Sequence, residues 1–132
     1  MKNSSKNIKK LQAVVRSIHL KTIGGGLAEL QQFKPEDSSN FEIDLEIFIG
    51  IEINGECSER FDLAVCTPKW ILDHLEEGDH MIGHGILIVP TYSYDRIVGH
   101  IKSYVKMCVG STIDDVMRRV GLLGEWESEW EI

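Results

Sequence analysis

His74, Asp79, His80 and His84 carry side chains that bind zinc, and loops can gather imidazole and carboxylate groups around one ion. Their spacing argues against a closed site. His74 and His80 stand on either side of Gly78 and lack the i, i+4 separation that sets two imidazoles on one helical face, so surface and turn histidines are the simpler expectation. A small metal-dependent enzyme using His74, His80 and His84 is the alternative. His19 and His100 are isolated. Cys57, Cys66 and Cys108 are odd in number and show no C-x-x-C spacing, so neither a disulfide framework nor a zinc site follows. Cys66 and Cys108 fall in apolar periodic segments, where burial raises a thiol pKa and leaves a poor nucleophile. Gly24, Gly25 and Gly26 lack the Lys-Ser/Thr of a phosphate loop and the glycine spacing of a dinucleotide fingerprint. No catalytic residue, metal or cofactor is expected.

The acids are more informative. Glu42, Asp44 and Glu46 sit at every second position, which places all three carboxylates on one face of a strand, and Asp62 falls where a hairpin partner would bring it to that face. At the C-terminus Glu125, Glu127, Glu129 and Glu131 alternate with Trp126, Ser128, Trp130 and Ile132. If extended, this stretch has an acidic edge and an aromatic one. Trp126 then has two uses, closing the core or anchoring a contact surface, and Trp130 favours the second, because tryptophan is enriched at binding hot spots. The paired acids Glu76-Glu77 and Asp114-Asp115 carry no mark of a cleft and read as solvated faces.

The composition sets the same direction. Fourteen Lys and Arg against 21 Asp and Glu give a net charge of -7, which repels nucleic-acid phosphates and anionic membrane surfaces and suits a cationic partner. Lys2, Lys6, Lys9 and Lys10 gather at the start, so residues 1–10 are expected to be a basic flexible tail and 11–132 a single domain, a length that supports one real core. No run of 18 apolar residues and no secretory signal pattern is present, so a cytoplasmic location is expected.

The elements that must hold these residues can be read from periodicity. Leu11 to Leu20 reads as a strand whose phase slips around Arg16 and Ser17, a bulge or bend. Leu27 to Phe33 reads as a short irregular or helical piece after the glycine turn, and residues 34–40 as a loop. From Phe41 to Ile53 every odd position is apolar and most even ones are acidic, the pattern of a half-buried strand. Asn54-Gly55 tolerates the positive φ of a two-residue turn, and Arg60 to Cys66 alternates again, so an antiparallel hairpin is expected. Thr67-Pro68 is a helix start, with an apolar stripe at Trp70, Ile71, Leu72 and Leu75 and a stop at Gly78. Ile86 to Val89 reads as a buried central strand ending at Pro90. The i, i+3, i+4 spacing of apolar residues between Ser93 and Val109 predicts an amphipathic helix, and Thr112-x-x-Asp115 resembles the capping box of another, stopped at Gly121. The sum is an α+β fold, an antiparallel β-sheet with helices packed on one face.

Phe61 to Ile71 with its Thr67-Pro68-x-Trp70 motif, the strand Gly85 to Val89, the tyrosine-bearing helix and terminal Gly124-Glu125-Trp126-Glu127 together resemble the immunity protein 8 family across nearly the whole chain after the basic tail. The resemblance implies an immunity protein, a cytoplasmic inhibitor encoded beside a polymorphic or contact-dependent growth-inhibition toxin, with a cognate toxin domain, in many cases a nuclease, as protein partner. It does not say which residues touch the toxin. From charge and aromatic placement alone, the expected contact residues are Glu42, Asp44, Glu46, Asp62, Glu125, Glu127, Glu129 and Trp130, while Thr67, Pro68, Trp70 and Trp126 carry the resemblance and have ready structural uses. An adaptor module without a toxin is a further alternative.

Overall fold

The computed structural model describes residues 10–51 and 58–127. The odd apolar positions of the central segment settle its strand: in β3 (Glu42–Ile51) Ile43, Leu45, Ile47, Ile49 and Ile51 are all buried, while Asp44 is exposed and Glu42, Glu46 and Phe48 are half-buried. A one-residue slip would turn these apolar side chains to the other face, so burial alone fixes the register. β4 (Glu59–Cys66) lies antiparallel to β3, with Leu63 opposite Leu45 and Phe61 opposite Ile47, as the alternation predicts. The turn expected at Asn54-Gly55 lies outside the described residues.

β1 (Leu11–Lys21) pairs with the other edge of β3, and its register shifts between Val15 and Ser17, where the apolar phase slips in the sequence. Two short elements follow: β2 (Leu27–Glu29), antiparallel to β1, and a 3-10 turn at Leu30–Gln32. The sheet runs β2-β1-β3-β4-β5, where β5 is Ile86–Ile88; β6 (Val109–Gly110) joins β1 and β7 (Glu125–Trp126) joins β4. All pairings are antiparallel except β4 with β5.

Two amphipathic helices supply the other half of the core. α2 (Tyr94–Lys106) begins at Ser93, whose hydroxyl accepts from the Arg96 amide, and buries Ile97, Ile101 and Val105. α3 (Ile113–Val120) begins at Thr112, which accepts from the Asp115 amide at 3.0 Å, and buries Val116, Met117 and Val120. These side chains join the odd residues of β3 and β4 in one apolar cluster, so the sheet has a helix-covered face and a second face that carries the even positions.

Two expectations are corrected. α1 (Pro68–His74) ends at His74, four residues before Gly78, and buries none of its side chains; Leu72 is 75% exposed. The Leu75 amide bonds to the Ile71 carbonyl and Leu75 is already extended, so the helix stops without its glycine, which serves a later turn at φ 92°. β5 is a short edge strand with Ile88 54% exposed, because β3 occupies the centre of the sheet and, among the described residues, β5 pairs with β4 alone.

Candidate functional site

The face of the sheet turned away from α2 and α3 gathers the acids that are distant in sequence. Period-two geometry sets Glu42, Asp44 and Glu46 of β3 along it. The β3–β4 register puts Asp62 opposite Glu46, and β7 puts Glu125 opposite Asp62. Glu127 follows one step beyond and reaches Arg60 at 2.5 Å. Six of the eight expected contact residues thus lie together; Glu129 and Trp130 lie outside the described residues.

Two cations interrupt this surface. Arg60, in β4, extends its guanidinium between acids from three segments, with Nη1 3.4 Å from Glu46, Nε 3.7 Å from Asp62 and Nη2 on Glu127. Lys21, the last residue of β1, reaches across β3 to place its ammonium 3.2 Å from Asp62 Oδ1. His19 and Phe48 meet edge to face at 5.8 Å on the same side of the sheet. Neither Arg60 nor Lys21 is among the contact residues expected from the sequence, although Arg60 stands two residues from Asp62, the same period-two spacing that aligns the acids.

Burial and the neighbouring Asp44 mark Glu42 among these carboxylates. Partial burial, then a hydrogen bond and charge from Asp44, push its pKa from 4.5 up to about 7. Burial likewise raises the pKa of both Cys66 and Cys108, which keeps their thiols protonated as packing groups.

The residues of the Thr-Pro-x-Trp and Trp-Glu motifs are structural in their contacts. Thr67 is fully buried, and its hydroxyl accepts from the Trp70 amide at 3.4 Å and from the Phe41 amide at 3.2 Å, so one side chain caps α1 and ties it to the start of β3. Pro68 fills the first helical position, where no amide donor is needed. Trp70 stacks on His74 at 4.3 Å, and the His74 imidazole N–H donates to the Trp70 carbonyl. Trp126 points to the helix side of the sheet: it stacks on Phe61, donates its indole N–H to Glu59 at 2.8 Å and packs against the core. The closing-strand use of Trp126 is the one realised.

The histidines expected at turns lie apart. His74 is engaged with its own helix, and the His84 imidazole N–H donates to the Gly121 carbonyl at 2.7 Å. Among the described residues no three His, Cys, Asp or Glu side chains are grouped so as to hold a metal ion. No helix among them is long and apolar enough to cross a membrane.

The fold is α+β, an antiparallel sheet backed by helices on one face and carrying charged side chains on the other. The family model described as Immunity protein 8 matches residues 13–130, and the chain belongs to that family. That membership points to a non-enzymatic role in a toxin system with a toxin protein as partner. No curated protein and no solved structure matches the chain.

Proposed function

We propose that this immunity protein neutralises its cognate toxin domain in the cytoplasm by laying the acidic sheet face over a basic surface of the toxin, the cleft of a nuclease being the best fit. The observation that carries the reading is the convergence of Glu42, Asp44, Glu46, Asp62, Glu125 and Glu127 on the sheet face opposite α2 and α3. A nuclease must attract phosphate, so its cleft is cationic, and a rigid array of carboxylates competes for the same groups. Strands hold such an array in place with little ordering cost on binding, and the helices behind supply the rigidity. Occlusion of this kind needs no cofactor. In sequence Glu129 and Trp130 repeat the Glu125-Trp126 pair, and Trp130 would anchor the end of the interface.

The test is protection of growing cells. With the toxin domain of the adjacent gene expressed beside it, the parent protein should restore growth, and a folded Asp44→Asn/Glu46→Gln/Asp62→Asn variant should protect poorly and associate more slowly. Full protection by that variant would move the interface elsewhere.

A further inference from the structure

We propose that Lys21 is an internal stand-in for an arginine side chain of the toxin, holding a specificity pocket on the acidic face until the partner displaces it. The inference rests on the sheet face being the toxin-binding surface. The pocket is an open hollow of about 230 Å³ lined by Lys21, Asp44, Asp62, His84, Ile86 and Glu125, with carboxylates from β3, β4 and β7. That volume suits one long side chain, the carboxylates set its charge, and Ile86 offers an apolar wall for an arginine stem.

Lys21 is one wall of this hollow, and Asp62 shows it to be a poor partner there. Its Oδ1 is buried and makes no hydrogen bond, although Lys21 Nζ stands 3.2 Å away and Arg60 Nε 3.7 Å away. A buried acceptor flanked by two cations and bonded by neither is a poor arrangement that a better-aimed donor improves. The two cations differ in how firmly they are held. Arg60 is fixed by Glu46 and Glu127 as well as Asp62, whereas Lys21 has Asp62 as its ion-pair partner among the described residues. Lys21 must also span the whole of β3, from β1 to β4, to reach it, which costs the freedom of its four-carbon stem. It ends its strand beside a turn of Ile23 and Gly24 to Gly26, all exposed, so the ammonium can swing out without disturbing the core. A planar guanidinium entering in its place offers several donors at once to Asp62, Asp44 and Glu125.

The consequence is a change of sign: removing a positive charge from this face can raise affinity simply because the face is acidic, but removing Lys21 does so only through Asp62. The experiment measures binding of the toxin domain of the adjacent gene to the parent, Lys21→Met, Lys21→Arg, Asp62→Asn and Lys21→Met/Asp62→Asn. A partly exposed ion pair such as this is worth up to about fivefold in an equilibrium. Lys21→Met should therefore bind about fivefold tighter, Lys21→Arg more weakly than the parent because its own guanidinium then satisfies Asp62, and the gain should vanish in the Asp62→Asn background; in the parent complex the Lys21 ammonium resonance should move to its free-solvent position. Unchanged or weaker binding by Lys21→Met, or a gain that persists with Asp62→Asn, overturns the stand-in. If Asp44→Asn/Glu46→Gln also binds like the parent, the docking face itself is wrong; if that variant is weakened, only the role of Lys21 fails.

Discussion

Replacing Arg60 by methionine should destabilise the fold in a way that salt repairs. Methionine keeps most of the apolar stem, so the change isolates the guanidinium. Three ion pairs are lost, to Glu46, Asp62 and Glu127. The Arg60 side chain is 32% exposed and its partners 13%, 33% and 42%, so each pair is worth no more than about 0.2–1 kcal/mol. The carboxylates left behind also repel one another, and the net loss should be about 1–2 kcal/mol at low ionic strength. In 1 M salt the Debye length falls to about 3 Å, and the loss should shrink by more than half. Urea unfolding at both salt concentrations reads this directly, with an unchanged m value showing that only stability moved. Unaltered stability at low salt, or a loss that deepens with salt, would refute the view that Arg60 holds the acidic face together.

Leu45→Ala should cost about 2–5 kcal/mol, because Leu45 is fully buried, whereas Asp44→Ala, one residue away on the open face, should stay within about 0.5 kcal/mol in the same unfolding assay. Thr67→Val removes the acceptor of two backbone amides and should cost about 2 kcal/mol, while Thr67→Ser, which keeps the oxygen, should cost well under half of that by thermal unfolding. Glu42 has its folded pKa raised to about 7 from 4.5, so the fold binds its proton more tightly than the unfolded chain does. Its contribution is therefore present below pH 4.5 and lost as pH rises towards 7; Glu42→Gln should flatten that fall, matching or exceeding the parent above pH 7, as stability measured across pH 4–8 would show.

Much of this was legible in the chain where one physical constraint acts alone. The odd apolar positions of β3, the slip at Arg16 and Ser17, and the caps at Thr67 and Thr112 are each written within a few residues, and each took its expected form. The acids were legible as far as period two reaches along β3, and the hairpin carried the pattern to Asp62. Arg60 and Lys21 were not, because their meaning depends on which carboxylates the β1, β3, β4 and β7 pairings bring beside them. α1 and β5 misled for a related reason. Both look core-bound locally, but β3 already holds the centre of the sheet, and the space beside β4 leaves an exposed helix and an edge strand. Trp126 could be placed only once β7 was paired, since one residue of shift would exchange its core-facing position with Glu125.

The most direct test of the docking face compares two charge reversals of equal size on opposite sides of the molecule. Asp44→Lys alters the sheet face; Asp95→Lys alters the exposed first turn of α2 on the helix side. Both change the net charge of -7 by the same amount, so a general electrostatic attraction predicts equal effects. Measured as the dissociation constant for the toxin domain of the adjacent gene, Asp44→Lys should weaken binding at least about tenfold, a complementary contact turned repulsive, while Asp95→Lys stays within about twofold of the parent. Equal weakening by the two, or a larger loss from Asp95→Lys, would contradict the assignment of the acidic sheet face as the surface that meets the toxin.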